Sequence, residues 1–181
     1  APILHQLMLQ EGITHSAGVP TVWLAMFGHL DAEAAAGRDA SLGKLKLVTI
    51  GGSAAPRAMI ERLMKAGVRV SHAWGMTETS PIGTMGSPTP NWHELTLDEQ
   101  IDVVCKQGRT PFGVELRFID KDGNVAPRDG VTSGALQIRV PWVIKRYFKA
   151  DVDCVDADQW FDTGDVSVLH PDGTMQITDR V

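Results

Sequence analysis

The chain has 181 residues, 43% of them hydrophobic and 22% charged, which is enough for one sizeable folded core or two small ones. Seventeen basic residues against 22 acidic ones give a net charge of −5 with no basic block, which argues against a nucleic-acid footprint. No apolar run approaches the ~18 residues of a membrane span, so no transmembrane segment is expected.

The opening A-P-I-L-H-Q-L-M has neither the basic leader nor the cleavage site of a signal peptide. The two cysteines, Cys105 and Cys154, form no C-x-x-C pair and read as reduced thiols of a cytoplasmic protein. The chain lacks an initiator methionine and closes on I-T-D-R-V inside a strand-like run, so a segment of a longer protein is expected.

In chain order, Ile3, Leu4, Leu7 and Met8 recur at helical spacing, and Gly12 suits the cap that ends such a helix. A short strand over 13–17 follows. Pro20 suits a first helical turn, and Val22, Trp23, Met26, Phe27 and Leu30 then form a broad apolar face. Two readings stand for residues 19–23: plain core packing, or the lining of an apolar substrate pocket. Burying one such side chain contributes ~1.5–3 kcal/mol in either case, so energetics do not separate them.

Residues 45–50 are a near-continuous apolar run, as in a buried parallel strand. G-G-S-A-A-P follows directly at 51–56, and then a helix carrying Ala58, Met59, Ile60, Leu63 and Met64, capped by Gly67. Strand, small residues and helix make a βα turn, where ligands meet backbone N–H groups and a helix N-terminus. No G-K-[ST] follows, so this is not a P-loop.

The next strand, 68–72, leads into S-H-A-W-G-M-T-E-T-S-P, the stretch that organises the rest. Trp74 offers a flat face, and stacking a base on such a face is worth roughly 1–3 kcal/mol. Gly75 lets a ligand approach the main chain. Thr77 supplies a hydroxyl, and Glu78 the hard anionic oxygen that Mg²⁺ prefers. The plain alternative is a turn of small residues after a strand. The two βα turns, at Gly51 and at Trp74, are expected to open onto one crevice.

A Pro-rich loop spans 87–92, and 95–106 reads as a helix with Leu97, Ile101, Val104 and Cys105 inward. Residues 107–111 break the pattern, and beyond them it alternates. Strands are expected over 114–118, 134–140, 160–168 (interrupted at T-G-D) and 174–178, with turns at D-K-D-G-N and H-P-D-G. The fold class is therefore α/β: a βα-layered segment, 1–107, followed by a small β-rich, barrel-like subdomain, 108–181.

The order G-G-S-A-A-P, W-G-M-T-E-T, W-F-D-T-G-D and T-D-R resembles the adenylate-forming superfamily of acyl-CoA synthetases, luciferases and peptide-synthetase adenylation domains. Its likeness is to the medium- and long-chain fatty-acyl-CoA and methylmercaptopropionate-CoA ligases. The resemblance spans the whole chain and implies part of the large N-terminal region of such an enzyme. It implies ATP/AMP, Mg²⁺ and coenzyme A as cofactor or substrate. A small-molecule carboxylic acid would be turned into an acyl-adenylate and then a thioester.

By the same resemblance, Gly51, Gly52, Ser53 and Ala54 line the adenine and acyl pockets, and Val19, Pro20, Thr21 and Trp23 border the acyl tunnel. Ala73, Trp74, Gly75 and Met76 hold the adenine. Thr77 contacts the α-phosphate, Glu78 holds Mg²⁺, and Asp165 and Arg180 meet the ribose or phosphate. The superfamily's phosphate loop and its mobile lysine domain are absent from the sequence, so the 181 residues alone are expected to be inactive. A homodimer is among the expected assemblies. The competing readings are an adenylating enzyme for amino or aryl acids, and a non-catalytic nucleotide-binding module.

Overall fold

The computed structural model describes residues 1–180. The chain forms two compact units: Ala1–His72 with Pro88–Cys105, and Ala73–Ser87 with the chain from Lys106 onward.

In the first unit, strands β1 (His15–Gly18), β2 (Leu47–Ile50) and the leading part of β3 (Arg69–Gly75) run parallel, with β2 in the middle. Helix α2 (Pro20–Ala35) connects β1 to β2, and α3 (Arg57–Lys65) connects β2 to β3. Parallel neighbours need such crossovers, because a tight turn cannot reverse the chain twice. Pro20 occupies the start of α2, where its missing N–H costs nothing. Val48 and Ile50 are fully buried and pack with Trp23, Met26, Ile60 and Leu63. Helix α4 (Leu97–Cys105) adds Ile101 and Val104 to the same core.

Helix α1 (Pro2–Gln10) forms where its periodicity predicts, but it buries a different face. His5 and Met8 are inside, while Ile3, Leu4 and Leu7 are exposed. The inward imidazole is held by polar contacts: His5 Nε2 meets the Ser41 carbonyl at 2.9 Å and Nδ1 meets His29 Nε2 at 3.2 Å.

In the second unit, Ala73 and Trp74 of β3 pair antiparallel with Met85 and Thr84 of β4 (Ile82–Met85). Strand β3 thus continues past the predicted end at His72, and a 3₁₀ turn at Thr77–Thr79 leads back into β4. The predicted βα turn at Trp74 is instead a strand–turn–strand, because these ladder bonds hold the backbone extended.

The remaining strands, β5 (Glu115–Ile119), β6 (Gly134–Arg139), β7 (Phe161–Leu169) and β8 (Met175–Arg180), form an antiparallel sheet in that order. Among the described residues β5 and β8 are its edges, so the barrel-like closure expected from the sequence is not seen. Leu136, Ile138, Phe118 and Phe161 fill its core together with Trp74. No helix among the described residues is long and apolar enough to cross a membrane.

Candidate functional site

The T-G-D interruption is a bulge in β7. Gln137 pairs with Asp162 and Ala135 with Val166, so β7 takes four steps where β6 takes two. Gly164 absorbs the excess with φ +70°, a conformation that side chains resist. Thr163 Oγ1 donates to the Leu136 carbonyl at 2.8 Å and accepts from the Asp165 N–H at 3.1 Å. These bonds fix a kink that holds Asp165 against the core, 7% exposed.

There, Trp74 Nε1–H donates to Asp165 Oδ2 at 2.8 Å. Arg180, opposite Asp165 in the β7–β8 register, brings Nε to 3.5 Å from Oδ1. An ionised carboxylate offers about four acceptor positions, so two hydroxyls of a sugar can still be accepted beside these donors. The structure thus brings together three residues predicted to meet a nucleotide: Trp74, Asp165 and Arg180. Trp74 itself is 6% exposed, with Gly83 close against its six-membered ring.

Gly75 is required by the turn itself. A Cβ there would lie 1.7 Å from the Pro81 carbonyl oxygen, so only glycine allows the two backbone segments to approach. Thr79, which sequence reasoning passed over, is the hub of this turn. It is fully buried, accepts the Met76 N–H at 2.9 Å and donates to the Pro81 carbonyl at 2.7 Å. Thr77 is left exposed on the other side of the 3₁₀ turn, free of that structural duty.

Glu78 is half-buried. Its Oε1 accepts from the Tyr147 hydroxyl at 2.9 Å, and its own carbonyl accepts the Ile144 N–H at 2.9 Å. The hydrogen bond to this carboxylate is the main reason that the Tyr147 phenol is held above its ordinary value. Oε2 has no protein partner among the described residues. Magnesium is commonly held by one or two carboxylates plus substrate phosphates and waters. Glu78 fits that pattern, with one oxygen steadied by Tyr147 and one open. No group of three acidic, histidine or cysteine side chains is poised for a metal among the described residues.

In the first unit, Gly52, Ser53 and Ala54 are exposed at the end of β2, and Gly51 is half-buried. Gly52 has φ +82°, and a Cβ there would stand 3.0 Å from Val19 Cγ1, so these two predicted residues are neighbours. Residues 19–23 divide between the two readings. Val19 and Thr21 are exposed, whereas Pro20 and Trp23 are buried in the core. The buried indole Nε1–H of Trp23 has no hydrogen-bond partner among the described residues.

The loop at 51–56 is anchored by His72, another residue that sequence reasoning did not single out. Ala55 N–H donates to His72 Nε2 at 3.2 Å, and Nδ1 lies 3.3 Å and 3.2 Å from the Val104 and Cys105 carbonyls. Burial pushes this imidazole below its ordinary pKa, although bonds to the Val104, Cys105 and Ser53 backbone act the other way.

Comparison with known proteins bears on what these groups serve. The family described as AMP-binding enzyme matches residues 1–148. The chain belongs to the AMP-binding enzyme family. Among curated members, the 3-methylmercaptopropionyl-CoA ligase of Ruegeria lacuscaerulensis is 45% identical over 170 residues, covering 93% of this chain and 31% of that protein. The medium-chain-fatty-acid–CoA ligase of Ectopseudomonas oleovorans is 42% identical over 178 residues, covering 98% of this chain and 32% of that protein. The chain therefore spans about a third of the length of the curated AMP-binding enzymes it matches. Among solved structures, a long-chain-fatty-acid–CoA ligase from Archaeoglobus fulgidus superposes with a TM-score of 0.78 at 25% identity, over 99% of this chain and 36% of that one.

Proposed function

We propose that this chain contributes nucleotide- and acid-binding residues to an AMP-forming acyl-CoA ligase. The reading is carried by its similarity, at 45% and 42% identity, to two proteins named as CoA ligases. In the first half-reaction a carboxylate oxygen bonds to the α-phosphorus of ATP and pyrophosphate leaves. In the second, the coenzyme A sulfur bonds to the acyl carbon and AMP leaves. Such transfers ask a protein mainly for positioning and charge neutralisation.

Asp165 is assigned to the ribose hydroxyls, with Trp74 and Arg180 holding its carboxylate in place. Ala73, Gly75 and Met76 are assigned to the adenine alongside Trp74, and Thr77 to the α-phosphate. Glu78 is assigned to Mg²⁺, which when bound would offset the charge on the phosphates. Gly51, Gly52, Ser53 and Ala54 are assigned to the adenine and acyl groups, and Val19, Pro20, Thr21 and Trp23 to the acyl chain. The exposed side of Val19 beside Gly52 accords with an apolar acyl group, and the likeness to ligases named for medium- and long-chain fatty acids favours an acid of that kind. A cytoplasmic setting accords with two free cysteines.

The test is ATP–pyrophosphate exchange by the protein at the length of its relatives, over a panel of fatty, methylthio-, aryl and amino acids. Exchange driven by fatty or methylthio acids, followed by thioester formation with coenzyme A, is expected. Exchange with amino or aryl acids alone would overturn the acyl assignment.

A further inference from the structure

We propose that His72 is a positioning residue for the 51–56 loop, joining the Ala55 amide to the carbonyl end of α4 as the neutral Nδ1–H tautomer. It is 1% exposed. Both of its ring nitrogens are nevertheless spoken for. Carbonyls only accept, so the Val104 and Cys105 oxygens call for a proton on Nδ1. The Ala55 N–H only donates, so it calls for a bare Nε2. One tautomer satisfies both.

The opposite tautomer would set a lone pair against the two carbonyls and a hydrogen against the Ala55 N–H. That hydrogen would have only the Ser53 backbone to turn to, at the expense of the bond to Ala55. A doubly protonated ring would keep α4 and lose Ala55, turning Nε2–H toward the Ser53 carbonyl instead. The bond to Ala55 is what the neutral ring adds, and it acts two residues from Ser53 and three from Gly52.

Arg57 at the start of α3 is already paired with Asp98 and Asp102 of α4. Burial pushes the neighbouring Cys105 thiol above its ordinary value, which keeps it neutral. His72 thus sits in a polar socket of which the 51–56 loop forms one wall. Its effect on catalysis rests on the ligase reading, which assigns that loop to the adenine and acyl groups.

The experiment combines nitrogen NMR of the histidines, amide exchange and pyrophosphate exchange on the wild-type protein, His72→Phe and His72→Gln, each at the length of its relatives. At neutral pH the wild-type ring should carry its proton on Nδ1. In His72→Phe, which keeps a ring but no polar atom, the Ala55 amide should exchange about 10-fold faster while Val48 and Ile60 stay protected. His72→Gln, whose amide oxygen can accept from Ala55, should recover most of that protection. In turnover, His72→Phe should raise KM for ATP or acid about 10-fold with a smaller change in kcat, and His72→Gln should restore it.

A proton on Nε2 would overturn the proposal, as would unchanged Ala55 exchange in His72→Phe. Joint loss of protection at Ala55, Val48 and Ile60 would mean that His72 supports the core generally and not this loop. A loosened Ala55 with unchanged KM would refute the catalytic consequence. Should the wild-type protein show no pyrophosphate exchange with any acid, the ligase reading fails, yet the tautomer and the Ala55 amide still decide the anchoring role.

Discussion

The indole Nε1–H of Trp74 donates to Oδ2 of Asp165 at 2.8 Å, joining residues 91 positions apart in the chain. Both side chains are buried, so each satisfies a polar group that would otherwise be stranded. Trp74→Phe keeps most of the ring but leaves the carboxylate short of a donor. It should lower unfolding free energy by about 1–3 kcal/mol. Arg180→Ala removes only an exposed partner and should cost less than about 1 kcal/mol. Urea unfolding of the two variants checks the order, and equal losses would contradict it.

Gly83 and Gly164 should respond differently to alanine. A Cβ at Gly83 would lie 2.2 Å from the Trp74 ring, and that ring cannot move without breaking its bond to Asp165. Overpacking of this kind costs about 1–3 kcal/mol. Gly164 has open space around its missing Cβ, so alanine there meets only the backbone cost of φ +70°, about 1 kcal/mol. Thermal unfolding should rank Gly83→Ala below Gly164→Ala.

Glu78→Gln should abolish or sharply reduce adenylate formation, because a neutral amide is a poor ligand for magnesium. Tyr147→Phe removes one hydrogen bond to the carboxylate and leaves its charge. It should raise the magnesium concentration for half-maximal exchange by less than about 10-fold without lowering the saturated rate much. Titrating magnesium in the pyrophosphate-exchange assay separates the two. A wild-type rate from Glu78→Gln would remove the metal assignment. Asp165→Ala should act chiefly through a raised KM for ATP.

Two groups set pH windows. His72 has its folded pKa below the ordinary 6.5, so the unfolded chain takes up the proton more readily. Stability should fall as pH drops from about 6.5 toward the lower folded value, and rise again on return. His72→Gln should flatten that slope. Asp129 behaves in the opposite sense for its charge: the Thr132 hydroxyl and the Thr132 and Val131 amides hold its carboxyl at about 2. Its contribution is present above the ordinary 3.8 and lost as pH falls through about 2. Carboxyl NMR titration should find that low midpoint, and Thr132→Ala should move it upward.

Local chemistry made much of this fold readable. Pro20 opens α2, Gly12 and Gly67 follow α1 and α3 with positive φ, and the alternating residues 134–140 contain β6. The T-G-D break foretold a departure from regular pairing, realised as the Gly164 bulge. What stayed hidden depends on partners far away. α1 shows its buried face only once Ser41 and His29 are placed beside His5. Strand β3 outruns its predicted end because β4 supplies ladder bonds to Ala73 and Trp74. Tyr147 sits in a stretch that reads simply as aromatic, and its bond to Glu78 crosses 69 residues. No spacing rule connects His72 with Ala55 and Cys105, since the link runs through backbone atoms that every residue possesses.

The surplus in β7 is even: four steps against two. Phe161, Thr163, Asp165 and Ser167 therefore keep to one side of the strand straight through the kink. An insertion or deletion of a single residue between Asp162 and Val166 would break that parity across the bulge, whereas a change of two would preserve it. Loop length at this spot is thus counted in pairs, and an odd change there would have to be absorbed inside the bulge for Asp165 to keep its bond to Trp74.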